Sequence, residues 1–467
     1  MIPLQLSEVA ALTGGVLHGP DVTVDAAVVT DSREAVPGSL YVARLGEHAD
    51  GHRFVPQARD AGAVAALTAR PVEELPCVVV DDVQEGFARL ARGIVDRCPQ
   101  LTVVGITGSS GKTSTKDLLA AVLRGHGETV APVGSFNSEV GVPLTVCRVT
   151  AQTRYLVAEM GADSVGNIAY LCRIAPPRIG VVLNVGSAHV GSFGSREAIA
   201  RTKGELVEAL DAQGVAVLNA DDPVVAAMAS RTVGRVVRVG TSADAQVRAT
   251  DVTLDAAGHP GFTLHTPAGE RAVRLGLHGE HQVGNALSVA AVALELGVPL
   301  DDIVDAFARA TPASRWRMEV TERPDGVTVV NDAYNANPDS MRAALKALAA
   351  MGRGRRTWAV LGEMRELGPE SVAEHDAIGR LAVRLNIARL VAVGEGARPI
   401  DQGARQEGSW GQESAWVPDV DAALALLRDE LTAGDIVLLK SSRDSGLRFL
   451  GDRLVADAAE APDQGER

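Results

Sequence analysis

The run Gly108-Ser109-Ser110-Gly111-Lys112-Thr113 lies within LTVVGITGSSGKTST, Leu101 to Thr115, and its residue types and spacing suit an anion. Glycines at 108 and 111 let the backbone curl so that successive N–H groups point inward, and the start of a following helix adds its partial positive charge. Lys112 can then bridge the outer phosphates of a nucleotide, with the Thr113 hydroxyl directed at Mg²⁺. The strict pattern G-x-x-x-x-G-K-[ST] asks for glycine at Ile106, so the match is to the shorter form G-x-x-G-K-T. A glycine-rich turn that happens to hold Lys-Thr is the plain alternative. Apolar Leu101, Val103, Val104 and Ile106 before the loop and the helix-favouring Thr115 to Arg124 after it argue for strand, loop, helix.

Further polar residues stand where strands are expected to end. Tyr155 to Glu159 is apolar up to its carboxylate, and the carboxyl ends of strands are where open α/β sheets bind ligands. Glu159 is expected as an oxygen ligand for Mg²⁺, against a salt-bridged buried glutamate. Ile179 to Val185 reads as the next strand and leads to His189, either a metal ligand or a capping or core histidine. Lysine occurs only at 112, 116, 203, 346 and 440 in a chain that otherwise writes its positive charge as arginine, so Lys112, Lys203 and Lys440 are candidates for work that needs a primary amine. Lys203 opens a helix expected from Arg201 to Leu210; a free ammonium there would repel a metal, whereas a carbamate would offer two oxygens. Asn285, at the start of an Ala-rich helix to Leu296, can read an adenine edge or simply cap the helix. Ser32-Arg33, beside a polar Gly-rich loop, can hold a phosphate or form a solvated turn.

The elements that must position these residues alternate apolar strands with helical patterns, which predicts an α/β protein with largely parallel sheets. At 467 residues, about three domains are expected. They are a small N-terminal α/β domain at 1–100, a central mononucleotide-binding parallel-sheet domain at 101–313 and a C-terminal Rossmann-like domain at 314–467. In the first, a helix Ser7–Leu12, strands Val22–Val29, Ser39–Ala43 and Cys77–Val80, and a helix Val83–Asp96 are expected. In the second, Ala216–Leu218 is a strand and a β-rich excursion lies between roughly Gly240 and Gly279, with alternating patterns at Ala245–Leu254 and Gly261–Thr266. In the last, strands Val327–Val330, Thr357–Leu361, Leu390–Val393 and Ile436–Lys440 alternate with helices, one starting at Pro338. Loops 331–338 and 440–443 form its working edge.

A net charge of -14 and a pI near 5.3 with no basic stripe argue against nucleic acid or an anionic membrane surface as partner. Cys77, Cys98, Cys147 and Cys172 show no C-x-x-C spacing and read as core residues of a reducing compartment. The start MIPLQLSEVAALTGG has no basic segment followed by an apolar core, and no apolar run is long enough to span a membrane. A cytoplasmic protein, not membrane-inserted and monomeric, is expected.

Taken together, Thr107 to Thr113, Glu159, His189, Lys203, Asn285 and Arg317 resemble, in order and rough spacing, the marks of the Mur ligase family of ATP-dependent amide-forming enzymes. Within it, Asn331-Asp-Ala-Tyr-Asn-Ala-Asn-Pro-Asp-Ser-Met341 and Leu361-Gly-Glu-Met-Arg-Glu-Leu-Gly368 look like the ligases that add D-alanyl-D-alanine to UDP-N-acetylmuramoyl-tripeptide in cytoplasmic peptidoglycan precursor synthesis. The resemblance implies that ATP converts the tripeptide's terminal carboxylate into an acyl phosphate, which the dipeptide amine attacks. It implies catalytic roles for Lys112, Lys203, His189 and Glu159. Two Mg²⁺ ions are implied, held by Thr113, Glu159, His189 and a carbamylated Lys203. Gly108, Ser109, Ser110, Gly111, Lys112, Thr113, Asn285, Arg317 and Asp332 would hold the nucleotide. Ser32, Arg33, Asn137, Asn335, Lys440 and Arg443 would contact the UDP-sugar, peptide or dipeptide. The chain departs from the pattern at Ser138, Glu363, Ser441 and Trp316, the last standing where many relatives carry glycine. Sites on separate domains predict an open arrangement before substrates bind.

Overall fold

The strand Thr102–Thr107 is the axis of the central sheet, with Tyr155–Glu159 parallel on one side and Ile179–Val182 parallel on the other. The register sets Glu159 beside Ile106 and Val182 beside Thr107, so three neighbouring strands finish at one level. These strands read as near-continuous apolar runs because helices cover both faces. The computed structural model describes residues 1–46, 49–186, 190–408 and 413–460.

Among the described residues the central sheet has nine strands. Thr129–Val130 lies at one edge; beyond Ile179–Val182 follow Val215–Asn219, Arg235–Gly240, Val247–Leu254, Pro260–Thr266 and Gly269–Arg274. Only the last two pairings are antiparallel. The N-terminal sheet runs Val16–His18, Cys77–Val79, Ala65–Thr68, Leu40–Val42, Val28–Val29, parallel after its first pair. The C-terminal sheet runs Glu319–Glu322, Thr328–Asn331, Ile436–Lys440, Thr357–Leu361, Arg389–Val393, Ser414–Val417, again parallel after an antiparallel edge pair. This is the expected three-domain α/β architecture.

One apolar cluster joins the N-terminal domain to the central one. Val83, Phe87, Leu90 and Ile94 on the helix Val83–Asp96 pack with Val146, Leu171 and Leu206 of the central helices. Asp82 caps that helix, accepting from the N–H groups of Gln84 (2.8 Å) and Glu85 (3.0 Å). The opposite face of the central sheet packs on Leu118, Leu119, Val122 and Leu123 of the helix Lys112–Arg124 and on Gln282–Glu295. The C-terminal sheet has two clusters of its own. All four cysteines are buried and free, and no helix among the described residues is long and apolar enough to cross a membrane.

Several elements differ from expectation, each for a local reason. Val22–Val29 is two short strands, Thr23–Val24 and Val28–Val29, because the N–H groups of Asp25 and Ala26 both turn to the Gly38 carbonyl. Ile179–Val182 stops short of Val185 because, after Leu183 donates to Thr107, Asn184 turns its oxygens to the N–H groups of the phosphate loop. The helix carrying Lys203 starts at Arg196, capped by the Ser195 hydroxyl, so Lys203 sits mid-helix rather than at its opening. Strands Arg235–Gly240, Glu319–Glu322 and Ser414–Val417 and the helix Leu300–Ala308 were not anticipated from the pattern.

Candidate active site

The phosphate loop connects Thr102–Thr107 to a helix that begins at Lys112, three residues earlier than expected. Gly111 has φ +81, a left-handed conformation, and a Cβ there would stand 2.6 Å from Asn285 Oδ1, so glycine is required twice over. Asn184, at the end of the neighbouring strand, holds the loop: its Oδ1 accepts from the N–H groups of Ser109 (3.0 Å) and Ser110 (2.9 Å). Lys112 Nζ donates to the Gly108 carbonyl at 2.7 Å. Burial holds the Lys112 ammonium below its usual range, with Arg317 acting the same way and Glu159 opposing.

From the loop a hydrogen-bonded chain runs to Glu159. Arg317 Nη2 donates to Thr113 Oγ1 (3.4 Å), Thr113 meets Ser135 Oγ (3.1 Å), and Ser135 donates to Glu159 Oε1 (3.1 Å). Asn137 Nδ2 donates to the same Oε1 at 2.7 Å. Glu159 is 1% exposed, and its other oxygen, Oε2, has no partner among the described residues. A buried carboxylate oxygen left unpaired, on a group linked through Ser135 to a threonine hydroxyl, is what a hard cation needs, because Mg²⁺ prefers oxygen ligands. The residues present therefore fit a magnesium ion at Thr113 and Glu159.

Lys203 is also buried and lines the same cavity. Burial, with Lys112 adding repulsion, pulls its amine from 10.5 to about 7. No hydrogen-bond or ion-pair partner occupies that amine among the described residues. His189 lies outside the described residues.

The C-terminal domain closes the cavity. Asp332 and Lys440 stand at the ends of neighbouring strands, where Lys440 Nζ donates to Asp332 Oδ2 at 2.5 Å and to the Asn335 carbonyl at 3.2 Å. Asp332 Oδ1 accepts from the Met318 N–H at 3.0 Å. Trp316 (φ +59) and Met318 (φ +50) flank Arg317 in the left-handed region, a cost of about 1–3 kcal/mol each. Contacts from Glu319 Oε2 to the Trp316 N–H and from the Trp316 carbonyl to the Tyr334 N–H hold them there. Glycine adopts such a backbone without that cost, which is the physical content of the departure at Trp316. Arg317 lies 4.4 Å over the Tyr334 ring, and its buried Nε has no partner among the described residues.

The cavity, about 490 Å³, brings together most of the anticipated residues: Ser109 to Thr113, Asn137, Glu159, Lys203, Asn285, Arg317, Asp332, Asn335, Lys440 and Arg443. Gly108 contributes its carbonyl to Lys112. Asn285 is no helix cap: the helix opens at Gln282, and Asn285 Nδ2 donates to Gln282 Oε1 at 2.8 Å. Lys440 reaches Asp332 rather than open cavity, and the buried pair sits beside His281, whose pKa burial lowers. Ser32 and Arg33 are not at this cavity; Ser32 Oγ bonds Gln57, and the exposed Arg33 pairs with Asp31.

The C-terminal domain is seated against the central one. Asn337 Nδ2 donates to the Ser109 carbonyl (3.3 Å), the Gly191 N–H donates to the Glu366 carbonyl (2.9 Å), and a Cβ at Gly186 would fall 2.0 Å from Asp339 Oδ2. Ser135 and Asn184 were missed from sequence, and Asn337 was anticipated only as part of the 331–338 loop. Asn184 had the same signal as Glu159, a polar residue ending an apolar strand, and Asn337 precedes a first-turn proline as caps do. Ser135 had none.

Fold and cavity together define a three-domain α/β protein whose phosphate loop and acidic strand end face a second nucleotide-fold-like domain. Family models agree along the chain: "Mur ligase family, catalytic domain" matches residues 26–100, "Mur ligase middle domain" 106–293 and "Mur ligase, glutamate ligase domain" 316–443. The chain belongs to the Mur ligase family. It is 49% identical, over 99% of its length and 100% of the relative's, to a Mycobacterium leprae protein named UDP-N-acetylmuramoyl-tripeptide--D-alanyl-D-alanine ligase. A crystal structure of MurF from Acinetobacter baumannii superposes with a TM-score of 0.88 at 31% identity, covering 97% of this chain and 99% of that one. MurF from Thermotoga maritima in complex with ADP gives 0.81 at 28%, covering 94% and 99%.

Proposed function

We propose that this protein joins D-alanyl-D-alanine to UDP-N-acetylmuramoyl-tripeptide at the expense of ATP, in cytoplasmic synthesis of a peptidoglycan precursor. The observation that carries the reading is the hydrogen-bonded chain from Arg317 through Thr113 and Ser135 to Glu159, which joins the phosphate loop to a carboxylate with one oxygen unpaired. Near full-length similarity to proteins named for this reaction supports the choice of substrates. The three units are taken as 1–100, 101–313 and 314–467, with a monomer as the working form.

The tripeptide's terminal carboxylate oxygen attacks the γ-phosphorus, ADP leaves, and an acyl phosphate results. The dipeptide's amine, as its neutral form, adds to the acyl carbon; phosphate departs with the bonding pair, the nitrogen loses a proton, and an amide remains. The obstacle is repulsion between carboxylate and triphosphate, and this chain answers it with local cations. Lys112, Arg317 and the loop N–H groups that Asn184 does not occupy take the phosphates, the Arg317 Nε being open for such a contact among the described residues. Asn285 and Asp332 hold the nucleoside, Asp332 at the ribose; Lys440 fixes Asp332 in place. Thr113, Glu159, His189 and Lys203 hold Mg²⁺, two ions being expected, and magnesium when bound supplies charge neutralisation at the transferring phosphoryl group. A Lys203 amine near 7 is free enough to take up CO₂ as a carbamate, turning a repelling cation into an oxygen ligand. Asn137, Asn335 and Arg443 line the cavity where the acyl and dipeptide groups meet, and Ser32 and Arg33 receive the UDP-sugar on the N-terminal domain.

The deciding experiment is phosphate release with UDP-N-acetylmuramoyl-tripeptide, with D-alanyl-D-alanine present or withheld. Sustained release only when both are present is expected; release that ignores the carboxylate substrate would identify a nucleotide-driven switch instead.

A further inference from the structure

Lys116 is 1% exposed and belongs to none of the roles above. It lies one turn beyond Thr113 on the phosphate-loop helix. Its Nζ donates to the carbonyls of Pro132 (3.0 Å) and Gly134 (2.9 Å) and pairs with Asp117 Oδ1 (2.5 Å). Three donors meet three oxygens, so a buried ammonium is fully satisfied. The clamped segment leads directly into Ser135, the hydroxyl between Thr113 and Glu159, through Gly134 at φ +58.

We propose that Lys116 is a positioning residue: it staples the segment Pro132–Gly134 to the phosphate-loop helix and thereby places the Ser135 hydroxyl so that Thr113 and Glu159 present their oxygens to one cation. The lysine is specific. A guanidinium is a planar fork and cannot aim at two carbonyls and a carboxylate arranged around a single nitrogen. With Ser135 displaced, Glu159 Oε1 loses one of its two donors and Thr113 its link to the carboxylate. The inference rests on reading the site as a nucleotide–cation site.

The test uses Mn²⁺ as a spectroscopic probe, titrated by electron paramagnetic resonance into the full chain with a non-hydrolysable ATP analogue. Lys116→Met is expected to weaken Mn²⁺ binding about tenfold, the usual effect of removing a group that orients ligands. Affinity for the analogue without metal should stay unchanged. Ser135→Ala, which leaves the staple whole, is expected to weaken Mn²⁺ similarly, Lys116→Arg not to restore it, and the double variant to lose little more than either alone. Parent-like Mn²⁺ affinity in a folded Lys116→Met, or an equal loss of analogue affinity with and without metal, would overturn the proposal. Should Lys116→Met fail to fold, Ser135→Ala decides: parent-like Mn²⁺ binding overturns it. Absence of nucleotide-dependent Mn²⁺ binding by the parent would overturn the reading of the site itself, and this inference with it.

Discussion

Lys112 donates to the carbonyl of its own loop at Gly108, a short contact that a triphosphate must replace with its own oxygens. Lys112→Ala is expected to lower phosphoryl transfer by roughly 10²–10³-fold, the range for removing one preorganised electrostatic contact, as read from phosphate release with all substrates present. Lys203 carries a different prediction. Its folded pKa of about 7 lies below the 10.5 of the free amine, so between those values the unfolded chain holds the extra proton. The cost of burying the ammonium is present in full below about pH 7 and fades as pH rises toward 10.5. Lys203→Met is therefore expected to raise Tm at pH 6 and to raise it less at pH 10. With ¹³C-labelled bicarbonate, a carbamate resonance is expected from the parent and not from this variant; its absence from the parent would remove the oxygen-ligand role of Lys203.

At the scale of elements, the phosphate loop is shaped by what meets it at the strand ends as much as by its own glycines. Gly111 opens the helix in a left-handed conformation with Asn285 pressed against it. Gly111→Ala would combine the left-handed penalty of about 1–2 kcal/mol with a collision that must move Asn285. Nucleotide affinity is expected to fall at least about tenfold, measured by calorimetry, while far-UV circular dichroism stays unchanged. The strand–loop–helix was legible because an apolar run, paired glycines and an amphipathic segment follow one another without interruption. The early stop of Ile179–Val182 was not, because Asn184 turns its oxygens to a loop some seventy residues away in sequence, and periodicity carries no trace of such a partner.

Across the whole molecule two kinds of junction coexist. The N-terminal and central domains share an apolar cluster through the helix Val83–Asp96, while the C-terminal domain keeps its own clusters and meets the central one at the cavity through polar contacts such as Arg317 with Thr113 and Asn337 with Ser109. Polar interdomain faces permit relative motion, whereas shared apolar cores resist it. Combined Arg317→Ala and Asn337→Ala is expected to free the C-terminal domain alone, seen in small-angle scattering as a larger radius of gyration than the parent's. Expansion that instead separates the N-terminal domain would contradict this division.

Local order in the chain was enough to determine many of the elements and much of the chemistry: the loop at 108–113, the carboxylate closing the strand at Glu159 and the proline-led helix at 338 are all short-range patterns, whereas the role of Asp332 was implied only by the family resemblance. Tertiary structure alone decided that Lys440 holds Asp332, that Lys116 is buried among carbonyls, that Ser135 bridges Thr113 and Glu159, and that bulky residues at 316 and 318 adopt left-handed backbone. Each of these depends on segments far apart in sequence meeting within hydrogen-bond distance. Desolvation and partner geometry exist only once the strands have been set side by side.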